Sequence, residues 1–331
     1  MNNMEVNSEY PWIEKYRPKS IKDIISQNES INILKNTLET GEMPHLLLYG
    51  GSGTGKTSTI LSLCRELFGP ERITERVLEL NASDERGINI VRTKIINFAK
   101  IAIGTRDKKY LCPPYKIIIL DEADAMTKEA QSALRKVMEE TSNITRFCFI
   151  CNYVNQIIEP INSRCVKLRF RSIRLEDIKI KLNNINMSEK LNLSDECIET
   201  ISEISNGDLR KEILLLQNTK YIKKNINKDD IYEMCKYIRS EEIEKYIIEL
   251  KTDTSIKNIM MITKKIIESG YIYNSIIIEL CKYIIKMKIE DNKKAKILFM
   301  ISDIEKKLNE RCDEYIQLLT LFTEITYNLF I

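Results

Sequence analysis

Eight consecutive residues, Gly50, Gly51, Ser52, Gly53, Thr54, Gly55, Lys56 and Thr57, carry the most legible chemistry in the chain. A glycine-rich turn has few Cβ atoms to obstruct it, so its backbone N–H groups can wrap around phosphate oxygens. The following stretch TSTILSLCREL, opening with Thr57 and Ser58, reads as a helix whose N-terminus adds the positive end of its dipole. Lys56 then offers a point charge to β- and γ-phosphates, and the Thr57 hydroxyl can reach a magnesium ion. KIIILDEAD supplies the complementary group: four apolar residues bring Asp121 and Glu122 to a strand end. There Asp121 can hold the metal shell while Glu122 polarises an attacking water.

Other residues are less distinctive by type. Asn152 ends the apolar run FCFIC, where an amide can align water or simply serve a turn. Arg164 in IEPINSRC and Arg210 in SNGDLRKEI can each offer a planar fork to phosphate, although arginines are common on any surface. Cys148 and Cys151 form a CxxC inside an apolar run without a second pair, which argues against zinc. His45 is the sole histidine; the expectation is a structural residue ahead of the first strand.

Positioning these groups requires alternating strands and helices. LLLY (46–49), VLEL (77–80), KIIIL (116–120), FCFIC (147–151) and VKLRF (166–170) are short and mostly apolar, as strands buried on both faces of a parallel sheet must be. Beyond residue 172 glycine becomes rare and apolar residues recur every three to four positions, as in Leu175, Ile178 and Ile180 to Leu182, then Cys197, Ile198, Ile201 and Ile204. The expected organisation is an α/β domain over 1–171, a small helical domain over 172–236 and an all-helical domain over 237–331. Breaks between the last helices are expected at 252–255, 269–270 and 291–292.

The chain's 331 residues exceed one ordinary core, at about 100–200 residues per domain. No window approaches the ~18 apolar residues of a membrane-spanning helix, and MNNMEVNSEYPW lacks a secretory pattern. Nine scattered cysteines are therefore expected to be reduced thiols. A formal charge of +3 does not by itself announce a polyanion partner, but residues 84–116 hold eight basic against three acidic side chains. A basic face there is as plausible as a merely solvated surface.

Taken together, PWIEKYRP (11–18), the glycine loop, ELNASDERGINIVR (79–92), CPPYKIIILDEADAMTKEAQSALRKVMEE (112–140), RFCFICNYV (146–154), NSRC (162–165) and NGDLRKEI (206–213) resemble the small subunits of replication factor C, the eukaryotic clamp loader. The resemblance spans essentially the whole chain and is nearest the fourth-subunit type of the human complex. It implies a P-loop AAA+ fold: a RecA-like parallel sheet domain, a helical lid and a helical collar for oligomerisation. It implies ATP and Mg²⁺ as ligands, with Ile13 and Arg17 lining the nucleotide pocket, Asn152 as sensor 1 and Arg210 as sensor 2. Arg164 becomes a finger completing a neighbouring subunit's site, so that an isolated chain hydrolyses slowly. Arg86 and Arg92 become contacts to DNA phosphates, which position a duplex without reading its sequence. At Gln156 relatives usually carry a basic residue, so that contact is not carried over. The implied partners are the other subunits of a hetero-pentamer, a sliding clamp and primer-template DNA, in the nucleus and away from membranes. A DNA-translocating motor such as a branch-migration helicase shares the same loop and DEAD box, and a scaffold that no longer hydrolyses ATP is a third reading, against which Glu122 argues.

Overall fold

Five short runs make one parallel sheet in the computed structural model, which describes residues 10–82, 88–101, 109–222 and 226–330. The strands are β1 (Leu46–Gly50), β2 (Val77–Asn81), β3 (Lys116–Asp121), β4 (Thr145–Cys151) and β5 (Val166–Phe170), in the order β2-β3-β4-β1-β5. Side chains alternate between faces along a strand, and two cores result. Leu46, Leu48, Ile117, Ile119, Cys148 and Ile150 pack on one face, and Leu47, Ile118, Leu120, Phe147, Phe149 and Cys151 on the other. Cys148 and Cys151 thus point to opposite sides of the sheet, which accounts for the CxxC as core packing.

Burial on both faces holds only for the central β1, β3 and β4. At the edges, β2 exposes Glu79 and β5 exposes Lys167 and Arg169, correcting the expectation for those two strands. The helical cover ends where the sheet does, so an edge strand can keep polar residues on its open side.

In the first unit the helices are α1 (Trp12–Lys15), α2 (Asn28–Thr40), α3 (Lys56–Phe68), α4 (Ile73–Arg76), α5 (Ile88–Lys100), α6 (Lys128–Thr141), α7 (Glu159–Asn162) and α8 (Leu175–Glu189), then, after α9 (Asp195–Ser205), whose residues are divided between the two units, α10 (Leu209–Thr219). Ile60, Leu63, Cys64 and Leu67 of α3 follow the i, i+3, i+4, i+7 pattern and pack with α2 on the first face. Leu134, Val137 and Met138 of α6 cover the second face together with Ile95 of α5. In α8 the buried stripe is Ile178, Leu182 and Ile185, while Leu175 and Ile180 are exposed. His45 has the structural role expected of it. Its Nδ1 accepts from the Phe147 N–H at 3.0 Å, and burial holds its pKa below the ordinary value, so the ring stays neutral.

Contacts divide the chain into two units, Met1–Asn192 with Ile201–Lys224, and Leu193–Thr200 with Asn225–Ile331. In the second unit run α11 (Lys228–Cys235), α12 (Ser240–Thr252), α13 (Ile256–Glu268), α14 (Tyr273–Lys286), α15 (Asp291–Asn309) and α16 (Glu314–Phe330). Its core is a set of stripes at helical spacing, such as Ile259, Ile262 and Ile266, or Leu318, Leu321, Phe322 and Ile325. Breaks at 252–255 and 269–270 are present. The break expected at 291–292 instead falls before Asp291, which opens α15, because an acidic residue in the first turn is favoured by the helix dipole. Among the described residues no helix is long and apolar enough to cross a membrane.

One buried group in the first unit predicts a pH effect. Glu212 of α10 is fully buried, neither carboxylate oxygen has a partner among the described residues, and burial with Asp208 nearby pushes its pKa up to about 8. In the unfolded chain this carboxyl ionises near 4.5, the value from which it is raised. Between the two values the unfolded state loses its proton first, so the native state loses up to roughly 1.4 kcal/mol per pH unit. Wild-type thermal stability is expected to fall from pH 5 to pH 8 and level off above, and Glu212→Gln to flatten that fall. Equal slopes for the two proteins in a melting series would refute the assignment.

Candidate active site

The parallel register sets Leu48 beside Ile150, Tyr49 beside Cys151 and Leu120 beside Phe149. Gly50, Asp121 and Asn152 therefore leave the sheet along one carboxyl edge, where ligands of open α/β sheets bind. Lys56, buried at the start of α3, donates from Nζ to Gly50 O and Gly51 O, each at 2.8 Å, and to Asn152 Oδ1 at 3.0 Å. Thr57 Oγ1 donates to Asp121 Oδ2 at 2.7 Å. Asp121 Oδ1 accepts from the Glu122 N–H at 2.9 Å, and Glu122 is exposed with its backbone left-handed at φ 54°. Burial lowers the Lys56 pKa, against the opposing pull of Asp121 and Asp124.

Two glycines are imposed by close approaches. At Gly50, φ 149°, a Cβ would lie 2.1 Å from Phe170 O. At Gly53, φ 67°, it would lie 1.9 Å from Asp208 Oδ1. Asp208 caps α10, its Oδ1 accepting from the Arg210 and Lys211 amides at 3.0 and 3.2 Å. Gly53→Ala is expected to strain a left-handed residue by ~1–2 kcal/mol and to dislodge that cap, worth about 1 kcal/mol more. Weaker nucleotide retention together with faster amide exchange at Arg210 and Lys211 would be the result; an unchanged exchange rate would contradict it.

Beside the loop lies a cavity of about 150 Å³ whose lining includes Ile13, Arg17, Gly53, Thr54, Gly55, Ser58 and Arg210. Arg17 Nε donates to Ser58 Oγ at 3.4 Å, tying the N-terminal segment to α3. Ser52 is exposed on the loop. Arg164 does not line the cavity; it donates to Pro160 O at 2.7 Å and to Glu139 Oε1 at 2.9 Å. Arg86 lies outside the described residues, and Arg92 falls within α5.

Two contributors escaped the sequence. Asp124 Oδ2 accepts from the Asn152 and Tyr153 amides at 2.9 and 3.1 Å and so fixes where Asn152 emerges. Its signal was the second aspartate of DEAD. Asp208 had no such signal, because only the tertiary approach to Gly53 gives it a role.

The residues suit a magnesium nucleotide. A hydroxyl and a carboxylate, hard oxygen donors, meet at Thr57 and Asp121, and magnesium is ordinarily held by one or two carboxylates with the substrate's phosphates. The loop's course past Phe170 and Asp208 is one that Cβ atoms at Gly50 and Gly53 would block.

Such a loop on the carboxyl edge of a five-stranded parallel sheet, with helices following, defines a P-loop ATPase domain of the AAA class. Residues 46–172 match the ATPase family associated with various cellular activities, 181–220 the RCF1/5-like AAA+ ATPase lid domain, and 226–324 the replication factor C C-terminal domain. Replication factor C subunit 4 of Arabidopsis thaliana is 45% identical over 95% of this chain and 94% of its own. Replication factor C subunit 4 of Homo sapiens is 42% identical over 96% of this chain and 88% of its own. The chain belongs to the replication factor C small-subunit family. Among solved structures, the Thermotoga maritima RuvB Holliday junction branch migration motor aligns with a TM-score of 0.52 and 19% identity, over 71% of this chain and 80% of that one. That likeness concerns the fold alone.

Proposed function

We propose that this chain is an ATP-hydrolysing subunit of a nuclear clamp loader, which uses ATP to open a sliding clamp and load it onto primer-template DNA. The observation that supports the reading most is the pair of contacts Lys56–Asn152 and Thr57–Asp121, set beside a cavity walled by Ile13, Arg17 and Arg210. Family membership along the lid and C-terminal regions favours a loader over a translocating motor.

In this reading the amides of residues 50–57 bind the phosphates, and Lys56 neutralises charge at the β/γ bridge. Thr57 and Asp121 hold magnesium, which when bound offsets charge developing on the phosphate oxygens. Glu122 orients and deprotonates the attacking water, Asn152 aligns that water as sensor 1, and Arg210 reaches the phosphates from the lid as sensor 2. Arg164 serves the neighbouring subunit, while Arg86 and Arg92 grip DNA phosphates. The division into 1–171, 172–236 and 237–331 assigns these tasks to nucleotide domain, lid and oligomerising collar.

The test is reconstitution with the remaining subunits. Hydrolysis is expected to rise when clamp and primed DNA are both present, with clamps appearing on primed circles. Stimulation by DNA alone, accompanied by strand movement, would overturn the proposal.

A further inference from the structure

The four-residue α1 has two working faces. Trp12, Lys15 and Tyr16, spaced i, i+3 and i+4, lie on one of them. Lys15 Nζ and Tyr16 OH both donate to Glu189 Oε1 at 2.5 Å, at the C-terminal end of α8. The Trp12 N–H donates to Gln217 Oε1 of α10 at 3.0 Å, and the Lys220 ammonium sits 5.9 Å from the centre of the indole. The other face belongs to the cavity, which Ile13, Glu14 and Arg17 line and which Tyr16 also borders beside its bond to Glu189.

A single turn of helix has almost no stability of its own, since nucleation is unfavourable and one turn gains little back. Its orientation is therefore set by its anchors. Buried Trp12 fixes the N-terminal end; Glu189 fixes the end that leads into Arg17. The Glu189 side chain is only 10% exposed. Burial opposes its charge, but the Lys15 and Tyr16 donors outweigh burial and hold the carboxyl below the usual range. The Tyr16 phenol, raised by burial and by Glu189 itself, stays a donor. Charge-assisted bonds at so sheltered a site are stronger than exposed pairs.

We propose that Glu189 is a positioning residue for nucleotide binding: by accepting from Lys15 and Tyr16 together it straps the N-terminal segment to α8, so that Ile13 and Arg17 stand as a fixed wall of the cavity. The inference rests on the cavity being the ATP site. It makes the lid and that wall one mechanical piece, so a shift of α8 is felt at the nucleotide without a residue of α8's last turn touching it.

Trp12 is the only tryptophan, with its ring edge-on to Tyr16 at 6.2 Å, and so reports on the strap directly. The full-length protein is titrated with Mg-ATP while Trp12 emission is followed, for wild type, Glu189→Gln, Tyr16→Phe and the double variant. Each single change is expected to weaken ATP binding about tenfold and, without nucleotide, to make Trp12 easier to quench with acrylamide. The double variant should be little worse than the more severe single, because the two groups form one contact. In the reconstituted complex KM for ATP should rise while kcat at saturation stays within about twofold, a split that general destabilisation does not give. Unchanged affinity in the folded single variants, additive losses, or a fall in kcat alone would each overturn the latch. Wild type failing to bind ATP would sink the nucleotide site, and the latch with it; wild-type binding with indifferent variants would sink only the latch.

Discussion

Lys56→Ala is expected to abolish ATP retention by this chain and to lower its hydrolysis at least 10²–10³-fold, on the scale of losing one preorganised charge donor. The ammonium is held by three acceptors that converge from the glycine loop and from the end of β4. Its truncation removes the one positive charge inside the loop, and no other lysine or arginine of the described residues bonds to Gly50 or Gly51. Fold stability should suffer little. Burial lowers the Lys56 pKa, so the native state holds this charge at a cost that alanine relieves. Calorimetric titration with Mg-ATP, alongside a melting curve, separates the two effects. Normal binding by a folded Lys56→Ala protein would remove the basis for calling residues 50–57 a phosphate cradle. A matching loss of melting temperature would make the effect one of folding.

Much of the fold was legible because its physics is local. Strands covered on both faces must be apolar without alternation, so β1, β3 and β4 stood out as runs, and the loop between β1 and α3 could be read from its glycines. What stayed hidden depends on distance along the chain. Glu189 meets Lys15 across 174 residues, and nothing in either neighbourhood marks the pairing. Asp208 looks like an ordinary helix cap until its approach explains why Gly53 has no side chain. The start of α15 was misjudged for a related reason: Asp and Asn favour turns and helix N-termini alike, and only the packed stripe beginning at Ile297 decides between them.

Arg164→Ala is expected to leave this chain's own ATP affinity intact and to cut turnover at the neighbouring subunit's site by roughly 10³–10⁵-fold, the range for an arginine supplied in trans. The geometry supports both halves. Arg164 follows α7 and does not line the cavity. Its guanidinium instead bonds to Pro160 O and to a Glu139 oxygen that also receives Arg135 Nε at 3.1 Å. Arg164 and Glu139 side chains are 40% and 43% exposed, and ion pairs in water hold little energy. A phosphate bearing several charges on a docked neighbour can therefore draw the arginine away from Glu139 at small cost. The decisive assay is single-turnover hydrolysis in a reconstituted complex where the neighbour's site alone is active, paired with nucleotide binding to the isolated Arg164→Ala chain. Lost self-binding with normal turnover next door would make Arg164 a residue of its own site and end the trans assignment. Glu139→Gln supplies the converse control: with its ionic tether removed, Arg164 should serve the neighbour at least as well as in the wild type.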